Sequence, residues 1–295
     1  MADRDTLAVT YYPGCSLEST AREYAESIAA MCRKLDVELV ELEDWTCCGA
    51  TSGGVLLDHE AATALPALTL QAAAGSGRPI FAPCAACYNR LMVAQRDLRA
   101  EPELMKRLGL GPEVLNIKVY SLVDLLRDFV GLDRIRERVV APLTGIKVAC
   151  YYGCLLLRPR DMELFDDPEQ PNSMEEIIEA IGGEPVEWAL KMECCGAGLA
   201  ATMQDACERL VGRLVRNARA AGGECAATAC QLCSMNLESR QGDTSPVAKP
   251  LPVVYLSDLV GLALGCTVSE VGLGRHLVDV RPLLATRETA VAEEH

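Results

Sequence analysis

The sequence predicts an α/β protein built from two repeated halves, each a small parallel sheet flanked by helices. Three observations carry this expectation. A five-cysteine pattern occurs twice, each half alternates strand-like and helix-like stretches, and the motif spacing matches a strand–helix–strand unit of about 30 residues. The first copy is Cys15, Cys47-Cys48-Gly49, then Cys84 and Cys87, with intervals of 31, 35 and 2 residues. The second is Cys154, Cys194-Cys195-Gly196, then Cys230 and Cys233, with intervals of 39, 34 and 2.

The elements follow in order. Leu7–Tyr12 reads as a strand ending at Pro13-Gly14-Cys15. Tyr24, Ile28, Met31, Cys32 and Leu35 then share one helical face, with Ser19 or Thr20 as the expected cap. Val37–Leu42 is a second strand leading to Cys47-Cys48. A helix from about His59 to Ala74 is expected to be disturbed by Pro66. Ile80–Ala82 is a third strand, and Cys84 to Cys87 opens the next helix. The second half repeats this order as strand 146–152, a helix from Ser173, strand 184–188, helix 199–221, strand 225–228 and a helix after Cys230.

The repeat extends beyond the cysteines. Ala8 to Cys15 is echoed by Lys147 to Cys154, and Val119 to Leu125 by Val254 to Leu259. The halves are therefore read as two pseudo-repeated Rossmann-like α/β domains, 1–138 and 139–295, joined near Gly131 to Thr144. Each motif falls where a strand ends and a helix approaches, the edge at which parallel sheets bind ligands. The second half carries eight additional residues, 39 − 31, before its Cys-Cys, in a polar, Pro-rich stretch from Arg158 to Asn172. Ser173 with Glu176 reads there as a capping box.

Composition limits the function. Half of the 295 residues are hydrophobic and 24% are charged, as in an ordinary protein with a core. The formal charge of −14 excludes a nucleic-acid binder, which needs clustered Lys and Arg. The opening Met1 to Asp5 does not resemble a secretory signal, and no apolar run reaches the ~18–20 residues of a membrane span. A cytoplasmic location follows as the expectation. In such a reducing compartment, 15 cysteines point to metal rather than disulfides.

Thiolates are soft donors suited to zinc or iron–sulfur groups. A zinc site or a cubane cluster takes four ligands, so each leaves one sulfur of every set unused. Five ligands imply more metal positions or a bridging thiolate, and the count alone leaves these alternatives open. The residues Tyr12-Pro13-Gly14-Cys15, Trp45 to Gly49 and Pro83 to Cys87, with their second-half partners, resemble the cysteine-rich CCG-domain family, which includes the B-type subunits of heterodisulfide reductase. The form of both motifs looks like the bacterial type.

That resemblance implies two non-cubane [4Fe–4S] clusters, each held by five cysteines. The first would use Cys15, Cys47, Cys48, Cys84 and Cys87, and the second Cys154, Cys194, Cys195, Cys230 and Cys233. It implies an oxidoreductase component that cleaves, or forms, a small-molecule disulfide between the clusters. Electrons would come through heterodisulfide reductase-like partners of the C type, with cubane iron–sulfur clusters, and of the A type, with flavin. It also implies that the chemistry belongs to the clusters and needs no catalytic side chain. Similar scaffolds serve in sulfur-oxidising assemblies and fumarate- or succinate-linked respiratory enzymes, so an electron conduit without disulfide chemistry stands beside a structural zinc protein as an alternative.

The remaining candidates read as structural. Cys32, Cys207, Cys150, Cys225 and Cys266 are expected as small core residues. Gly49 and Gly196 are expected at positive φ or in close approach to the metal group. Arg158 and Arg160 are read either as anion ligands or as solvated charges, and His59, His276 and His295 as ordinary histidines. Asp124 and Asp258 read as helix caps.

Overall fold

The computed structural model describes residues 6–50, 58–241, 249–282 and 284, so His295 lies outside the described residues. The first half contains strand β1 (Leu7–Tyr11), helix α1 (Arg22–Lys34), β2 (Val37–Glu41), α2 (His59–Ala74), β3 (Ile80–Phe81), α3 (Ala85–Ala100), β4 (Val119–Tyr120) and α4 (Leu132–Arg138). The second contains β5 (Lys147–Tyr151), α5 (Ser173–Ala180), β6 (Glu184–Pro185), α6 (Gln204–Ala220), β7 (Cys225–Thr228), α7 (Gln231–Ser239), β8 (Val253–Tyr255) and α8 (Leu256–Ala263). The strands form two four-stranded parallel sheets, ordered β2-β1-β3-β4 and β6-β5-β7-β8. Leu7 pairs with Val37, Thr10 with Ile80 and Ile80 with Val119, while Val148 pairs with Cys225 and Ala226 with Val253. The two halves are α/β repeats, as the alternation predicted.

In each sheet the strand order reverses beside the first strand of the half, between β1 and β3 and between β5 and β7. Loops leaving neighbouring strands there diverge to opposite faces and open a crevice, the usual ligand position in such sheets. Cys15 follows β1 and Cys84 follows β3, while Cys154 follows β5 and Cys230 follows β7. Topology therefore puts a cysteine on each side of both crevices.

The structure corrects local expectations at four places. Neither Ser19 nor Thr20 caps α1, since Ala21 occupies the cap without a side-chain bond and Ser19 Oγ donates to Cys15 O instead. Ser173 and Glu176 form no capping box, because α5 starts one residue earlier, at an Asn172 cap. Asp166 of the long loop accepts from Ser173 N (2.7 Å) and Asn172 N (2.9 Å), its carboxylate being the stronger acceptor at a positive helix end. Glu176 turns to Arg127 Nε at 2.7 Å. The strand expected over 184–188 stops at Pro185, beyond which the Trp188 indole donates to Cys150 O. The helix expected from 199 begins at Gln204, after a short turn over Ala197–Leu199.

Helix α2 passes through Pro66 because its lost hydrogen bond is replaced. Proline has no N–H to give the carbonyl four residues back, which is Ala62. The buried Arg90 Nη2 donates to that oxygen at 2.5 Å.

The halves exchange helices. α8, from the end of the chain, packs on α1 of the first half, while α4 packs on α5 of the second. At the first contact Ser27 Oγ donates to Asp258 Oδ1 (2.5 Å), and Asp258 Oδ2 accepts from Tyr255 N and faces His276 Nε2 at 3.0 Å. His276 Nδ1 lies 3.2 Å from Glu238. Asp258 thus caps its helix, as its position predicted, and His276 is a buried structural residue. Burial pushes the imidazole down, but hydrogen bonds to Asp258 and Glu238 prevail and hold it up at about 10, above its ordinary 6.5. A raised folded-state value gives stability that is complete below 6.5 and lost as pH rises through about 10. His276→Leu should cost about 3–5 kcal/mol in urea unfolding near pH 6, since it leaves buried carboxylates unpaired, and should flatten this alkaline loss. An unchanged alkaline slope would remove His276 from that role.

Candidate metal centre

The first sulfur set is assembled from three loops. The Cys15 thiol bonds with Cys47, Cys48 follows in sequence, Cys87 Sγ donates to Cys48 Sγ at 3.4 Å, and Cys87 also bonds to Cys84. Cys84 is the N-cap of α3, which sets its thiol beside the helix's first amides, Ala86 and Cys87. The Cys87 thiol bond lowers the Cys84 thiol to about 6, against burial and helped by Gln231 and these amides. The same proton, held between two sulfurs, pushes Cys87 well up. Negative charge is thus favoured at the helix end.

The second set repeats the sequence of contacts. Cys154 Sγ lies 3.7 Å from Cys194 Sγ, Cys195 Sγ lies 3.7 Å from Cys233 Sγ, and Cys233 bonds to Cys230. Cys230 caps α7 as Cys84 caps α3. The Cys154 bond lowers Cys194 to about 6 against burial, aided by Gly196 N at 3.3 Å. The Cys233 bond lowers Cys195 to about 7 against burial. In both sets the two members of the Cys-x-x-Cys and the second of the Cys-Cys are buried, while Cys15, Cys47 and Cys194 are exposed and Cys154 is half-buried. Each set has a deep side and an open side.

Glycines shape the floor. Gly14 and Gly153 precede the lone cysteines at φ +68° and +67°. A Cβ on Gly14 would stand 2.7 Å from Cys87 Sγ, and one on Gly153 3.2 Å from Cys233 Sγ. Gly49 and Gly196 adopt φ +67° and +80°, the left-handed conformation expected of them. Tyr12 and Tyr151, at equivalent positions, donate to the carbonyl just before each Cys-Cys, Thr46 O and Glu193 O, both at 2.7 Å. These tyrosines clamp the middle loop, a role readable only as a repeated Tyr three residues before the lone Cys.

The two sets are neighbours. Gln231, between Cys230 and Cys233, sends its Nε2 to Cys84 Sγ of the other set at 2.9 Å. Tyr24 and Tyr255 stack at 4.1 Å along the same seam, and Tyr24 OH donates to Pro83 O beside Cys84. Asn89, two residues past Cys87, donates to Leu155 O (2.9 Å) and to Arg158 O beyond Cys154. Gln231 and Asn89 carry no motif of their own, and only the fold reveals that they and the two tyrosines meet along one seam.

The other candidates belong to neither five-sulfur set. Cys32, Cys150, Cys207, Cys225 and Cys266 are buried. Cys207 contacts the second set from behind, 3.7 Å from Cys195 O and 3.2 Å from Asn236 Oδ1. Arg160 pairs with Glu169, Arg158 is exposed, and His59 meets Glu101 at 3.5 Å on the surface. Among the described residues, no three Cys, His, Asp or Glu enclose a single-ion position. The sulfurs stand instead as contacting pairs. Ten soft donors in two equal groups, helix N-termini that begin at Cys84 and Cys230, and glycines where a side chain would strike sulfur fit a thiolate-bound metal group.

Known proteins share this pattern. The profile of the cysteine-rich domain family named CCG matches residues 9–92 and 148–238. The chain is 32% identical over 280 residues to the 8-methylmenaquinol:fumarate reductase membrane anchor subunit of Wolinella succinogenes, covering 92% of this chain and 98% of that protein. It is 28% identical over 291 residues to the B component of the ferredoxin/F(420)H(2)-dependent CoB-CoM heterodisulfide reductase of Methanosarcina acetivorans, covering 94% and 96%. A crystal structure of a hypothetical protein from Helicobacter pylori superposes with a TM-score of 0.70 at 12% identity, covering 92% of this chain and 52% of that one. The chain thus spans about half of that structure and shares its fold. Among the described residues, no helix is long and apolar enough to cross a membrane.

Proposed function

Because the chain belongs to the cysteine-rich CCG domain family, we propose that it is the disulfide-handling iron–sulfur subunit of a multi-subunit oxidoreductase. Its kinship with the B components of heterodisulfide reductases supports a cysteine-rich electron-transfer role. The finer reading assigns one non-cubane [4Fe–4S] cluster to each five-sulfur set and a small-molecule disulfide as substrate. Its partners are a flavin protein of the A type and a cubane-cluster protein of the C type, in the cytoplasm. The observation that carries this reading is the Gln231–Cys84 hydrogen bond, which sets the second cysteine loop against the first sulfur set.

Reduction of a disulfide breaks one S–S bond and consumes two electrons and two protons, giving two thiols. Iron–sulfur groups bound at the two sets would supply those electrons singly, one from each side of the seam. The chain's own residues do the rest. Cys15, Cys47 and Cys194 face outward, so a substrate reaches the open side without crossing the core. The buried Tyr24–Tyr255 stack closes the deep side to water. The helix ends at Cys84 and Cys230 favour the negative charge that accumulates on sulfur. No histidine or acid is assigned a chemical step.

Anaerobically purified protein should contain about eight iron atoms if each set holds a four-iron cluster. Adding a small disulfide to the reduced protein should change the spectra of both centres and yield thiol. Colourless, zinc-loaded protein would refute the reading. A second reading, an electron-transfer subunit of a quinol- and fumarate-linked respiratory enzyme, is favoured by the 32% identical relative. Spectra indifferent to disulfides, together with reduction by a quinol-linked partner, would select it.

A further inference from the structure

We propose that Gln231 is a positioning residue for the first centre, holding Cys84 across the seam and making that centre the stronger electron acceptor of the two. The inference rests on the iron–sulfur reading above and extends it to a particular side chain. Gln231 Nε2 donates to Cys84 Sγ at 2.9 Å, and the residue is only 3% exposed, so water does not compete for the sulfur. The contact runs one way. The equivalent position between Cys84 and Cys87 is Ala85, which has no group to return to Cys230.

A second asymmetry points in the same direction. Arg90, three residues beyond Cys87, is buried and held by Ala62 O, and its positive charge acts on Cys48. Its counterpart three residues beyond Cys233 is the neutral Asn236, which donates to Cys195 O at 2.7 Å. On that side Glu193, adjacent to Cys194 in sequence, opposes negative charge on its sulfur. Hydrogen bonds and positive charge at the sulfurs stabilise an added electron and raise a cluster's reduction potential. The first set has the cross-seam amide of Gln231 and the Arg90 guanidinium, while in the second Cys194 has the backbone amide of Gly196 and the neighbouring Glu193 carboxylate. The two centres are thus unequal, and an electron resides preferentially on the first.

The orphaned oxygen fits this role. Gln231 Oε1 is buried and has no hydrogen-bond partner among the described residues. Among the described residues, the side-chain amide is thus anchored by its bond to Cys84 and makes no other hydrogen bond.

The test is potentiometric titration of the iron-loaded protein followed by electron paramagnetic resonance. Each centre is assigned by the signal lost in Cys15→Ala or Cys154→Ala. The first centre should have the higher midpoint. Gln231→Met, which keeps the length and removes the donor, should weaken one-electron reduction of the first centre about tenfold, which is 59 mV for a one-electron couple. The second midpoint should stay in place. Gln231→Glu should lower the first midpoint at neutral pH and restore it on acidification, as the carboxyl regains a proton to donate. Unmoved midpoints, a shift confined to the second centre, or iron lost equally from both centres in both variants would overturn the proposal. Wild-type protein without iron would instead overturn the reading on which it rests.

Discussion

Cys87→Ala is expected to remove the iron of the first set, about half of the total, and to abolish two-electron disulfide turnover. Cys87 is the hub of its set. It touches Cys48 at 3.4 Å, bonds to Cys84, and packs where a Gly14 side chain would otherwise stand. Removing it separates the Cys-Cys loop from the helix end. Cys233→Ala should do the same to the second set, through Cys195 and Cys230. Cys32→Ala is the control, since Cys32 is buried on α1 outside both sets and its loss should leave the iron intact. Iron analysis and visible absorbance of anaerobic protein decide the matter. Full iron retention in Cys87→Ala would show that the sulfurs do not act as a unit.

Gly14→Ala should be nearly as damaging at the first centre, although it adds a single methyl group. That carbon would lie 2.7 Å from Cys87 Sγ, inside van der Waals contact, on a residue at φ +68°. The left-handed backbone alone costs about 1–2 kcal/mol for a side chain. The sulfur must also move, away from its contacts with Cys48 and Cys84. First-set iron should fall to a small residue while second-set iron persists. Gly153→Ala is the graded comparison, because its methyl would meet Cys233 Sγ at 3.2 Å. It should lose less second-set iron than Gly14→Ala loses from the first. Equal and complete retention in both variants would mean that these glycines serve only the turn.

Much of this is legible in the chain because it is written twice. The repeat exposes the two halves, and the spacing of about one strand–helix–strand unit puts the motifs at strand ends. The strand after Gly145 and that over 225–228 need only apolar runs bounded by glycine. Capping is misread because the acceptor at the start of α5 is Asp166, seven residues before Ser173 in an irregular loop. Pro66 looks like a helix breaker, since the guanidinium that takes over the missing donor's task comes from another helix. The seam is invisible for the same reason. Gln231 sits 147 positions from Cys84, and nothing in a Cys-Gln-Leu-Cys stretch says that the glutamine faces the other half.

The exchanged helices have a consequence for how the protein is made. The face of α1 that carries Ser27 is covered by α8, some 230 residues later. The first half can therefore bury that surface only after the segment carrying α8 has been synthesised, and contacts so remote in sequence form slowly. The donor from Gln231 to Cys84 also arrives late. The N-terminal cysteines thus wait, beside an uncovered helix face, for the segment carrying Gln231 and α8 to emerge. A metal group inserted ahead of that moment would meet an unfinished cradle.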